Sequence, residues 1–186
     1  MDPITPSELR AYTVFRGCGD EELNRVIGCM SRTLLSIPGQ ILFEEDVDSD
    51  AAYLVKQGTL VAEMPLGDGV AMEMARMGIG SVVGELCLIK GGPRSLRVKA
   101  TERTELLRVD RAKFESLRNA KDIAAYTIIR NICLTMCDRL RNTNEFIERE
   151  LRHEVQLAAD FTGNQQQSIA DRAREYLSKL FGRGDG

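Results

Sequence analysis

The stretch Val83-Gly84-Glu85-Leu86-Cys87-Leu88-Ile89-Lys90-Gly91-Gly92-Pro93-Arg94-Ser95 sets an acid, a guanidinium and turn-forming glycines side by side. Gly84 has no Cβ, so the backbone there can turn tightly and approach a ligand. Glu85-Leu86-Cys87-Leu88 has the length of one helical turn. The first N–H groups of such a turn lack partners inside it, which favours an anion. Gly91-Gly92-Pro93 imposes a second turn. Arg94 follows, and a guanidinium grips phosphate through two parallel N–H bonds. Glu85 repels phosphate but accepts a hydrogen bond from a sugar hydroxyl. An acid for a hydroxyl, a guanidinium for a phosphate and backbone amides between them describe a site for a sugar phosphate.

Gly84-Glu85-Leu86 followed by Pro93-Arg94-Ser95 resembles the phosphate-binding cassette of the cyclic nucleotide-binding domain family. That family includes the catabolite activator proteins and the regulatory subunits of protein kinase A. The resemblance implies that Glu85 holds the ribose 2′-hydroxyl and Arg94 the cyclic phosphate. Backbone amides near Leu86 and Cys87, with the Ser95 hydroxyl, would complete the phosphate shell. Farther along, Arg139-Leu140-Arg141-Asn142-Thr143-Asn144 resembles the part of the family's long helix that covers the nucleotide, so Thr143 and Asn144 are expected at the base. Two departures stand out. Glu45-Asp46 occupies a place where the family usually has Gly, and Asp tolerates a left-handed turn. Leu96 stands where a small residue is usual; it either crowds the pocket or points into the barrel.

The elements that must carry this stretch follow from periodicity. Residues 6–31 read as helical, with Ser7 capping a helix from Glu8 and Asp20 capping a second that buries Leu23, Val26 and Ile27. From Thr33 the period becomes two, through Leu35, Ile37, Ile41 and Phe43 around the Pro38-Gly39 turn. Tyr53-Leu54-Val55, a turn at Gly58, Leu60 to Met64, a hairpin at Gly67-Asp68-Gly69, Val70 to Met77, Val82-Val83, Leu96 to Ala100 and Glu105 to Val109 continue it. Many short strands with glycine turns make a barrel or sandwich. The resemblance makes it a jelly roll, in an α+β fold whose core spans residues 33–121 after a lead-in of 1–32. Asp110 caps a helix that buries Phe114 and Leu117.

A long helix is expected over 122–162, with Ile123, Ile128, Ile129, Ile132, Cys133, Met136, Leu140 and Ile147 at spacings of three and four. So long a stripe exceeds what a small barrel can cover, which predicts a homodimer through the helix, the alternative being a helix folded fully back on its own barrel. Residues 163–186 follow a break at Phe161-Thr162-Gly163-Asn164. They form a short amphipathic helix that either docks on its own protein or acts as the output element.

Composition narrows the classes. The chain has 186 residues with formal net charge −3, so no basic field argues for nucleic acid. No apolar run reaches the ~20 residues of a membrane span, and Met1-Asp2-Pro3-Ile4 has no secretory pattern. Five scattered cysteines fit a reducing cytoplasm. Cys133 and Cys137 share one helix face; with His153 the one histidine, they read as small buried apolar side chains rather than metal ligands. One histidine also leaves little acid–base chemistry, so no enzyme, metal or cofactor is expected. Too few residues follow Gly163 for a winged helix-turn-helix, which disfavours DNA binding.

The expectation is a stand-alone bacterial sensor of a cyclic purine mononucleotide, with cAMP the default and cGMP open, that signals to another protein. The alternative is a jelly roll that no longer binds nucleotide and serves as an interaction scaffold.

Overall fold

The computed structural model describes residues 2–67 and 70–161. The chain divides after Leu134 into two compact units. The first begins with α1 (Pro6–Leu9), a 3-10 turn (Thr13–Phe15) and α2 (Asp20–Ile27). Eight strands follow: β1 (Met30–Leu35), β2 (Ile41–Phe43), β3 (Ala51–Gln57), β4 (Leu60–Gly67), β5 (Val70–Met77), β6 (Val82–Val83), β7 (Arg97–Ala100) and β8 (Thr104–Asp110). The short α3 (Leu86–Ile89) sits between β6 and β7, and α4 (Arg111–Asn119) and α5 (Ile123–Phe161) follow β8.

Two four-stranded antiparallel sheets face each other, ordered β1-β8-β3-β6 and β2-β7-β4-β5. This is the expected jelly roll. Alternation along the strands sends Leu35, Tyr53, Val55, Leu60, Ala62, Val98, Ala100 and Leu106 into the space between the sheets. β3 is buried on both faces, because Ala52 and Leu54 on its outer side pack under the helices. There Val14, Phe15, Val26, Leu88, Phe114 and Ile128 close a second apolar layer around a void of only about 10 Å³. Burying a side chain the size of Phe114 stabilises by about 1.5–3 kcal/mol. Because Leu88 belongs to α3, this layer also anchors the short helix of the expected site.

Several local expectations need correction. The lead-in is not helical to residue 31, since β1 starts at Met30. Thr5, not Ser7, caps α1, because Pro6 supplies the first helical position and its missing N–H costs nothing there. Gly19 precedes α2, with its N–H donating to Glu22 Oε2 at 2.7 Å, and Asp20 is the first helical residue. Ile37 lies in the β1–β2 turn and is exposed, as the Gln40 side chain takes up the Ser36 and Ile37 amides and ends the strand.

In α5 the buried face is Ala124, Ala125, Ile128 and Ile132, while Ile123 is 62% exposed. Cys133 and Cys137 are exposed, not buried: Cys133 lies one residue off the Ile128–Ile132 row, and Cys137 belongs to the second unit. Asp110 caps α4 as expected, accepting from Lys113 N–H at 3.0 Å, and Phe114 is buried. Gly67 takes φ +90 at the start of the expected hairpin, whose tip residues Asp68 and Gly69 lie outside the described residues, as does the expected tail helix. Among the described residues no helix is long and apolar enough to cross a membrane.

Candidate phosphate-binding site

β6 ends at Val83, and Gly84 turns the chain with φ +68 into α3. A Cβ at Gly84 would collide with Arg94 Nη1, so the glycine serves both the left-handed backbone and the close approach of the guanidinium. Glu85 is half-buried at the N-cap of α3. Leu86 is exposed, whereas Cys87 and Leu88 are buried. The Cys87 amide donates to Gly84 O at 3.3 Å, a long bond that a phosphate oxygen would have to replace. Burial pushes the Cys87 thiol up to about 11, against the opposing charges of Arg94 and Arg111. That thiol is therefore a neutral packing group rather than a nucleophile.

The return segment is stitched to the β2–β3 loop. Asp46 N–H donates to Arg94 O at 2.9 Å, and Arg94 N–H donates to Val47 O at 2.9 Å. Ser49 donates its N–H and its hydroxyl to Gly92 O at 3.1 and 2.7 Å. Asp46 has φ +61, the left-handed turn expected where the family usually has Gly. Local backbone bonding thus fixes where Arg94 enters the barrel.

Arg94 is 5% exposed. Its Nη2 donates to Ala51 O at 2.6 Å and its Nη1 to Gly84 O at 3.5 Å. The guanidinium lies 4.1 Å above the Phe43 ring and 6.0 Å from that of Tyr53. Among the described residues the one carboxylate within 4 Å is Asp50, at 3.7 Å. Asp50 is exposed and bonds Arg108 more closely, at 2.9 Å. The buried cation thus has carbonyl dipoles and an aromatic face but no carboxylate committed to it. Buried charges are ordinarily paired, and here two carbonyl dipoles and an aromatic face take most of that part. Leu96 points into the barrel and packs on the core beside Leu42, Phe43 and Met77.

Gly84, Cys87 and Arg94 are thus in contact; Glu85 and Leu86 lie between the first two on the chain, and Ser95, next to Arg94, is exposed. Thr143 and Asn144 belong to the second unit, where Thr143 Oγ1 donates to Arg139 O at 2.9 Å and Asn144 is half-buried. The residues missed in the sequence are Phe43, Asp50, Ala51 and Ser49. Ala51 lies 43 residues before Arg94, and no local pattern marks a carbonyl that will accept from a distant guanidinium. A separate cavity of about 310 Å³, between Arg32, Lys56, Arg103 and Glu105 on the outer side of β1 and β8, shares none of these residues.

A two-sheet roll whose sixth strand leads through a glycine turn into a short helix, with a buried arginine on the returning segment, defines the class of this site. Residues 37–121 match the sequence model of the cyclic nucleotide-binding domain. A cyclic AMP receptor protein from Thermus thermophilus is 26% identical over 136 residues, covering 73% of this chain and 61% of that protein. A potassium channel from Oryza sativa is 26% identical over 104 residues, 56% of this chain. This chain spans only 14% of that channel and 15% of a second plant potassium channel. Among solved structures, the N-terminal domain of a transcriptional regulator from Streptomyces coelicolor superposes with TM-score 0.61 at 27% identity, covering 75% of this chain and 94% of that one.

Proposed function

We propose that this protein is a regulatory binding module for a cyclic purine mononucleotide, not a catalyst, and that cAMP is its first candidate ligand. The observation that carries the reading is Arg94, a nearly fully buried guanidinium without a committed carboxylate. The name of the Thermus thermophilus relative supports cAMP over cGMP. In this reading the cyclic phosphate bonds Arg94 and the amides at Leu86 and Cys87, and Ser95 adds its hydroxyl at the rim. The ribose 2′-hydroxyl donates to Glu85, and Thr143 and Asn144 meet the base.

Binding reaches the rest of the molecule by population shift. The ligand must favour one arrangement of the cassette and long helix by a few kcal/mol to act as a signal. The output is a homodimer joined through the long helix, acting on a further protein in the cytoplasm. Five free cysteines, three of them buried, suit a reducing compartment.

Calorimetric and thermal-shift titration with cAMP and cGMP tests the reading. Ligand at 100-fold above its Kd should stabilise the protein by about 2.7 kcal/mol. Absence of any shift or heat at millimolar concentrations of both nucleotides would instead support the second reading, a nucleotide-independent scaffold. The residue that motivates that alternative is Leu96, which stands where the resemblance expects a small residue and packs against the barrel core.

A further inference from the structure

Helix α4 reaches the cassette with two guanidiniums. Arg118 Nη1 donates to Ile89 O at 3.0 Å, while its Nη2 is held by Glu115 at 2.7 Å. Arg111, the first residue of α4, donates Nη1 to Ser49 O at 3.3 Å, and its backbone N–H donates to Asp50 O at 2.9 Å. Its guanidinium also fills the space that a side chain at Gly91 would need, because a Cβ there would collide with Arg111 Nη2 and Cζ. Gly84 and Gly92 both have positive φ, but Gly91 does not. Backbone conformation therefore does not demand glycine at 91; a side chain there fits only if the seated guanidinium moves. Ser49 closes the circuit by bonding Gly92 through its N–H and its hydroxyl. The charge of Arg111 is felt inside the cassette, where it acts with Arg94 against the burial that raises the Cys87 thiol.

We propose that Arg111 is a positioning residue of the nucleotide site: seated on Gly91 and bonded to the β2–β3 loop, it holds the 89–94 segment, and so Arg94, at the height the phosphate requires. The inference rests on the nucleotide reading above. It differs from an ordinary surface role for Arg111 in predicting that Gly91 and Arg111 act as one unit. Gly91→Ala must expel the guanidinium, which is the movable partner, and so must mimic Arg111→Ala.

The test compares the full chain with Arg111→Ala, Gly91→Ala and the double variant, by hydrogen exchange without nucleotide and by calorimetry with cAMP. Each single variant should speed exchange of the Ile89, Lys90, Gly91, Gly92 and Arg94 amides by about tenfold or more while leaving β3 and β8 unchanged. Each should raise the Kd for cAMP about tenfold, and the double variant should be no worse than either single. Parent-like cassette exchange in Arg111→Ala, or fully additive losses in the double variant, would overturn the inference. A general loss of protection in all strands would overturn it too, since the role would then be one of global stability. A parent protein that takes up neither cAMP nor cGMP overturns the nucleotide reading instead, and the exchange result then still decides whether Arg111 braces the loop.

Discussion

Arg94 stands where stability and binding pull in opposite directions. A guanidinium at 5% exposure, facing Phe43 and two carbonyls, has no carboxylate among the described residues nearer than Asp50 at 3.7 Å. Arg94→Leu removes that buried charge from an apolar barrel. It is expected to raise stability by about 1 kcal/mol in urea unfolding. The same change should weaken cyclic nucleotide binding by at least ~2 kcal/mol in calorimetry. A variant that binds like the parent would remove Arg94 from the site. Gly84→Ala should also weaken binding, by about 2 kcal/mol or more, because it adds left-handed backbone strain and displaces Arg94 Nη1. Glu85→Ala should cost less than either, since one neutral-donor bond is lost. Gly84, Glu85 and Arg94 were legible because their chemistry is local, an acid and a guanidinium a turn apart. Phe43 and Ser49 were not, because their roles depend on a loop that folds back from the preceding hairpin.

The junction between α4 and α5 is the element on which the first unit closes. Lys121 adopts φ +57, a conformation that costs a non-glycine residue about 1–2 kcal/mol. Asp122 then caps α5, its Oδ1 accepting from Ala124 N–H at 2.8 Å, and its Oδ2 accepting from Arg25 Nε of α2 at 2.6 Å. Lys121→Gly is expected to stabilise the protein by about 1 kcal/mol, measured by the unfolding midpoint at constant m-value. The hydrogen bond from Arg25, helped by the Ala124 amide, holds the Asp122 carboxyl below its ordinary value. The Lys113 amide and Arg108 do the same for Asp110 at the start of α4. A carboxyl whose folded pKa is lowered stabilises the fold above its unfolded value and loses that contribution as pH falls through the folded one. Stability should therefore drop on acidification below about pH 4, and Asp122→Asn should flatten part of that drop. An acid limb identical in parent and variant would place the effect elsewhere. Asp110 was legible as a cap because Asp directly precedes a helical pattern. The strained Lys121 was not, because nothing in its side chain announces a left-handed turn.

At the scale of the whole molecule the run of short strands was legible from turn spacing and the jelly roll only through the resemblance, and the face that α5 presents was half legible. The apolar stripe was clear, but which side of it meets the roll depends on packing. Small Ala124 and Ala125 go in while Ile123 stays out. Beyond Leu134, in the second unit, the pattern changes to a seam. Cys137, Leu140, Asn144, Ile147 and Leu151 alternate at steps of three and four, which is the heptad spacing of a two-stranded coiled coil. Leu140 is 64% exposed on this chain. Asn144 falls on the seam between Leu140 and Ile147, where a polar residue favours two parallel chains in register because its amide can bond its own copy. If the protein dimerises through this helix, Leu140→Asp combined with Ile147→Asp should yield a monomer in sedimentation at micromolar concentration. The unfolding midpoint of the first unit should then stay within about 0.5 kcal/mol, because neither residue belongs to that unit's core. Asn144→Leu should instead tighten association and broaden the distribution of assembly states and, because Asn144 is also proposed to meet the base, weaken cAMP binding in calorimetry. An unchanged sedimentation coefficient in the double-Asp variant would place any dimer contact on another surface.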